Sequence, residues 1–439
     1  MLNFCRNILI LLIILLTNRV YSLNSSSYLV ANIAINLFEF DRAKGEFDQL
    51  GQNLNESDLH NQLLTYVNLN LLSEANSVAK KIIAINDNNQ EAWIVLLANA
   101  IIKKDSITFD IFKKNQNKSA FNLLNYIFFS NSGNIKNNKL VARSIFEVVQ
   151  ASESENNNQI SYKFLLFYLS IAMMLDPSFT EAYFYSAQIY QKLENYSKAE
   201  FFYNLIPFNH TLFVDSQKNV AINKSKLGLP NDGAELLKNL LENNNQNLSL
   251  IAALADLYRV QKNYNEAIKY YTKIINLKNN AFNEYWKIYY FRGICFERLK
   301  KWDLAEKDFL YSLKIKSNSP EVLNYLAYGW LERDIYLDKA MSMLKEAYQV
   351  NPESFYIADS LAWGFYKKNE LKKAANLMEK VIVMAPGEAI SLDHLGDIYF
   401  AMNRKREASY YWKQALDLAE PEDEISDKLI KKLEVYNAG

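Results

Sequence analysis

The chain has 439 residues, 50% of them hydrophobic and 22% charged, a composition that supplies a large apolar core and excludes a disordered chain. Lys plus Arg equals Asp plus Glu at 49 each, so no net charge draws it to nucleic acid or to an anionic membrane. Only 11 Gly and 7 Pro leave few turn-makers for a sheet-rich fold, which predicts long helices joined by short connections.

Residues 1–22 stand apart. Arg6, the apolar run Ile8 to Leu16 and the small residues Val20 and Ser22 form the three parts of a secretory signal with a cut after Ser22. The run is about half the ~20 residues that cross a bilayer. Cys5 precedes the run, whereas a lipid anchor needs a cysteine just after it, so no lipid anchor is evident. With the leader removed Cys295 alone remains, no intrachain disulfide forms, and packing must hold the exported chain together.

Residues 23–150 read as degenerate helical repeats. "LVANIAINLFEFDRA" has the look of a first helix, and Ala75, Ala79 and Ile82 that of a second, but the spacing drifts. Asn-rich segments at 86–90, 152–159 and 243–247 predict loops, because Asn bonds its own backbone in competition with helix; the middle one is the candidate hinge. Residues 160–247 hold repeat pairs, including a degenerate copy at Leu212 to Asn243, and 248–420 hold regular ones. There Leu361, Ala362, Phe365, Ala374 and Met378 return 34 residues later as Leu395, Gly396, Tyr399, Ala408 and Trp412. Each unit is two helices, with small residues (Ala362 and Ala374, Gly396 and Ala408) where the pair comes closest. Further copies start from Leu326 and Ala327, from Gly293, from Leu254 and Ala255, and from Ala187. Residues 421–439 predict a capping helix with Ile425, Leu429, Leu433 and Tyr436 on one face, covering a last repeat that has no successor.

These residues resemble the tetratricopeptide repeat: a small residue and an aromatic on the first helix, Ala then an aromatic on the second, and often a closing proline such as Pro352 or Pro386. The resemblance implies an all-α helix-pair solenoid, a right-handed superhelix following the signal peptide. Arg292 departs from it, standing where a leucine is usual.

Catalytic chemistry is not legible. His60, His210 and His394 lack metal-ligand spacing, which predicts no metal. "GLPNDGAE" (228–235) has the glycines of a phosphate loop but Ala234 in place of its lysine, and fits a turn between repeat helices. Cys295, among Ile294, Phe296 and Leu299, reads as a buried hydrophobe, and the tyrosines as filler needing no cofactor. The reading is no enzyme and no cofactor.

Function is therefore sought on the surface. In such solenoids the first helices line a concave face, and residues offset from the packing stripe point into it. Tyr325, Tyr328, Tyr356, Asp359, Trp363, Tyr366, Asp393, His394 and Asp397 form the candidate partner-binding groove, with Asp359 and Asp397 set to pair with basic groups of a client. On that reading Trp363→Ala with Tyr366→Ala abolishes capture and leaves the melting temperature nearly unchanged.

The run from "LNYLAYGWLERD" through "DSLAW" to "LDHLGD", within residues 285–420, is also similar to bacterial exported repeat proteins. Their members include outer-membrane lipoproteins that scaffold a processing protease acting on cell-wall hydrolases. This implies a periplasmic scaffold whose partner is a protein or peptide segment, such as an envelope protease or a cell-wall enzyme. The anchoring cysteine of those lipoproteins has no counterpart here, so only the scaffold role carries over. A chaperone-like carrier of envelope or outer-membrane clients is the alternative, and an enzyme with a site in the first 150 residues a third.

Overall fold

The structure, a computed structural model, describes residues 23–50, 54–114, 121–130, 133–154, 161–277, 285–420 and 425–438. The candidate signal segment at 1–22 lies outside them, and the hinge candidate at 152–159 is described only to residue 154. Among the described residues there are 24 helices and one isolated β-bridge, Phe129 to Ile135, and none of these helices is long and apolar enough to cross a membrane. They form two compact units that divide between Gly233 and Ala234.

The first unit begins with three helix pairs: α1 (Leu23–Asn36) with α2 (Phe40–Phe47), α3 (Glu56–Asn68) with α4 (Leu72–Ile85), and α5 (Gln90–Lys103) with α6 (Ser106–Lys113). Then come α7 (Asn122–Phe128), α8 (Asn138–Ser154), α9 (Tyr162–Leu175), the pair α10 (Thr180–Lys192) and α11 (Tyr196–Asn204), and α12 (Phe213–Lys226). The division falls within α13 (Pro230–Asn243).

The second unit continues as first and second helices in alternation: α14 (Leu248–Val260) and α15 (Tyr264–Leu277), α16 (Tyr285–Arg298) and α17 (Trp302–Ile315), α18 (Pro320–Leu331) and α19 (Leu337–Val350). After them stand α20 (Phe355–Lys367) and α21 (Leu371–Met384), α22 (Ala389–Ala401) and α23 (Lys405–Leu418), and finally α24 (Ser426–Ala438).

The turn inside each pair shows why the period is so regular. A helix ends cleanly when one residue swings into the left-handed region, and here that residue recurs: Phe38, Asn70 and Lys104, then Glu194, Gly228, Lys262, Lys300, Asp334, Asn369 and Asn403. From Glu194 to Gly228 to Lys262, and again from Asn369 to Asn403, the step is 34 residues. The turn after α18 holds two such residues, Asp334 and Tyr336, which accommodates its one extra residue. Gly228 places the degenerate copy in register, and Pro230 opens the next helix, where its missing N–H is no loss. Two of the Asn-rich segments end as caps: Asn89 accepts a hydrogen bond from the Ala92 amide and Asn247 from the Leu250 amide.

Packing within the second unit follows from small residues facing large ones. A Cβ on Gly396 would stand 2.4 Å from the Trp412 indole and one on Gly329 2.0 Å from that of Trp302, so only glycine admits these rings. Ala374 and Ala408 are fully buried at their close approaches. Arg292, in place of leucine, forms a bidentate pair with Asp308 at 2.7 and 2.8 Å and donates to Thr272 at 3.0 Å, tying α16 to α17 and α15. The apolar contact has become a buried ionic one. Cys295 is buried, and burial pushes its thiol up to about 12, so it behaves as a small hydrophobe.

The first unit adds an element that repeats do not require. Helix α9 is buried almost all round, from Leu165 to Met173 and at Leu175, and it packs on α3 and α5 as well as on its chain neighbours α8 and α10. Lys163 Nζ donates to Asn36 Oδ1, and Lys198 Nζ lies 5.5 Å from the Phe40 ring centre, so the last pairs of this unit touch its first.

Candidate functional site

The residues that spacing assigned to the groove share one face of three successive first helices. Tyr356, Asp359, Trp363 and Tyr366 follow the i, i+3, i+7 pattern on α20, and Ile390, Asp393, Asp397 and Phe400 repeat it on α22. Tyr325 and Tyr328 come from α18.

The face is not a row of solvent-facing side chains. Trp363 is 8% exposed, Asp359 6% and His394 6%. The Trp363 ring stacks on His394 at 4.1 Å and on Tyr366 at 4.6 Å, and its indole N–H donates to Glu332 at 2.7 Å. Asp359 lies 3.0 Å from His394 Nδ1, within a layer closed by Tyr328 at 6.4 Å from the imidazole. Burial alone pushes the His394 imidazolium down, but Asp359, with Asp393 and Glu332 beyond it, overcomes this and holds His394 above its ordinary value.

The two aspartates of α22 are likewise engaged. Lys432 of α24 reaches Asp393 at 2.5 Å and Asp397 at 2.7 Å, and the Trp412 indole N–H donates to Asp397 at 3.0 Å. The carboxylates expected to meet a client's basic groups are thus satisfied within the chain, Asp359 by His394 and Asp397 by Lys432. Desolvation and the neighbouring Asp393 still keep the Asp397 carboxyl above the usual range. Tyr325 turns toward the preceding repeat, 5.5 Å from the Tyr290 ring and 6.0 Å from Phe309.

What stays open lies around this floor. Tyr356, Ile390 and Phe400 are exposed, Tyr366 is half-buried, and Asn324 Oδ1, one turn before Tyr328, is buried with no hydrogen-bond donor among the described residues. Spacing missed Glu332 and Lys432. Glu332 follows Tyr328 by one turn and was legible as part of the same face; Lys432 comes from outside the repeats, and only the packing of α24 brings it here.

Among the described residues no group of three His, Cys, Asp or Glu side chains could hold a metal ion. In the first unit His60, Asn61, Leu63, Leu64, Glu91, Lys163, Phe164 and Phe167 line a cavity of about 230 Å³ between α3, α5 and α9.

Residues 248–280 match the family model "Tetratricopeptide repeat". The TPR repeat-containing protein PA4667 of Pseudomonas aeruginosa is 27% identical over 100 residues, 22% of this chain and 17% of that protein's length. Among solved structures, the APC/C hetero-tetramer Cut9-Hcn1 aligns with a TM-score of 0.49 and 15% identity over 93% of this chain and 83% of the other. A tetratricopeptide repeat protein from Parabacteroides merdae aligns with a TM-score of 0.45 and 17% identity over 58% and 98%. Residues 248–280 are thus a tetratricopeptide repeat by the family model, and they sit in a ladder of helix pairs that recurs at the same 34-residue step.

Proposed function

We propose that this protein is an exported, non-enzymatic scaffold that docks a segment of another protein on the first-helix face of its second unit. One observation supports this above others: Tyr356, Ile390 and Phe400 stay exposed on the first-helix face, around the buried layer of Trp363, His394 and Asp359. Exposed aromatic and apolar side chains around a rigid floor are the kind of surface on which binding energy concentrates when a partner's apolar side chains cover them. The buried layer of Trp363, His394 and Asp359 supplies a floor whose rotamers are already fixed, so little ordering is needed on binding. Export rests on the sequence of residues 1–22, and the likeness to exported scaffolds makes an envelope protease or cell-wall enzyme the partner class.

The test is a photo-crosslinking residue at position 356, compared with one at Val383, which is exposed on the second helix α21. In the native cell, position 356 should capture one or two partners in stoichiometric yield and position 383 none. Tyr356→Ala with Phe400→Ala should lower capture by roughly thirtyfold or more. Equal capture at both positions sinks the reading, and a broad client set turns it into a carrier. Sequencing the mature N-terminus should give Leu23; an intact Met1 on cytoplasmic protein refutes export.

A further inference from the structure

Helix α24 does more than cover the last pair. Ile425 and Leu429 enter the core formed with α22 and α23, and Leu433 is half-buried. Lys432 leaves that apolar seam and reaches onto the first-helix face, where its ammonium meets Asp393 and Asp397 and lies 5.7 Å from the Trp412 ring centre. Two carboxylates one turn apart and an indole face make a cradle for a cation. The cradle cannot stand empty cheaply, because Asp393 and Asp397 repel one another in a half-buried setting.

At 13 residues α24, like the repeat helices, is too short to persist alone in water and depends on its docking against α22 and α23. Ile430 and Val435 stay exposed, so the helix carries apolar surface on more than its docked face.

Resting on the first-helix face as the docking surface, we propose that α24 is a displaceable occupant: Lys432 holds in cis the place that a lysine or arginine of the partner segment takes on binding. Release of α24 without a replacement cation leaves two adjacent carboxylates bare, so a neutral or acidic segment gains nothing by competing. A basic segment exchanges one ion pair for another and adds its contacts with Tyr366, Phe400 and Ile390. A tethered helix presents itself at an effective concentration of about millimolar, so the free protein stays closed to weak or unspecific ligands.

The experiment uses the full chain, with a fluorescent synthetic peptide of residues 425–438 as probe. Lys432→Gln should speed amide exchange in α24 by about tenfold or more and leave α22 and α23 as they are. The variant should bind the peptide about tenfold or more tightly than the wild type does, and adding Asp393→Asn with Asp397→Asn should abolish that binding. The proposal falls if α24 of Lys432→Gln exchanges in step with α22 and α23, if the peptide binds both forms equally or neither, or if the variant fails to fold, since α24 is then an integral part of the unit. Because the probe is the chain's own helix, a negative result here leaves partner capture at position 356 standing, and failure of capture there leaves this result unaffected.

Discussion

The two units are built from the same helix pair but stabilised differently. In the second, contacts run from each helix to its pair partner and to the next pair, so the unit is close to one-dimensional, and part of its first-helix face, at Tyr356, Ile390 and Phe400, stays exposed. In the first, α9 lies against α3 and α5, first helices of earlier pairs, and fills space that a plain ladder leaves open. A first-helix face can therefore be left partly open or be spent on packing, and this chain does one in each unit.

The largest expected effect tests whether the floor of the second unit is core. Trp363→Ala removes a buried indole stacked on two rings and should cost about 3–5 kcal/mol, read from urea unfolding. This replaces the expectation that the substitution leaves melting unchanged; a shift near zero would restore the groove as a solvent-facing surface.

Arg292→Leu sharpens the same point. It gives α16 the usual repeat residue but strands Asp308, which is 4% exposed, and should cost about 3–5 kcal/mol, whereas Arg292→Leu with Asp308→Leu should be close to neutral. Equal losses in both variants would mean that the Arg292 position is not a substitute for apolar packing.

In the first unit Leu169→Ala, at the centre of α9, should cost about 2–5 kcal/mol. Hydrogen exchange should show the loss spreading to α3 and α5 and not to the second unit. Changes confined to α8 and α10 would make the first unit a nearest-neighbour ladder as well.

Ala374→Leu and Ala408→Leu overpack two close approaches and should each cost about 1–3 kcal/mol, with the exchange effects staying within adjacent pairs.

The smallest effect is electrostatic. The folded His394 pKa lies above the ordinary 6.5, so its contribution to stability is complete below about 6.5 and is lost as pH rises through the folded value. The urea midpoint of the second unit should therefore fall as pH rises above about 6.5, and His394→Gln should remove that step. A midpoint that rises over this interval would show that His394 is held neutral.

Legibility in the sequence followed the same division. Where contacts are between neighbours, period and partner residues are written into one stretch of chain, and Ala362 with Ala374 or Gly396 with Ala408 could be placed from spacing alone. Helix α9 could not, because a segment apolar on every side has no stripe to read and its contacts lie with helices distant in the sequence. The candidate site was half legible: helical spacing put Tyr356, Asp359, Trp363, Asp393 and His394 on one face. It could not show that Glu332 accepts from Trp363 or that Asp359 closes on His394, since those bonds depend on how far apart adjacent pairs stand.

What the sequence determined by itself is the repeating unit: small residues at each close approach and aromatics around them, returning at a 34-residue step, all of which are local steric demands. Only the tertiary structure decided which surface remains for use. Whether a side chain at a given offset is free or consumed depends on what packs over it. Here that was settled by elements outside the local repeat, α9 against the first helices of unit one and Lys432 of α24 against Asp393 and Asp397. Local periodicity fixes where a side chain points, but burial and ion pairing are set by chain segments that the period does not contain.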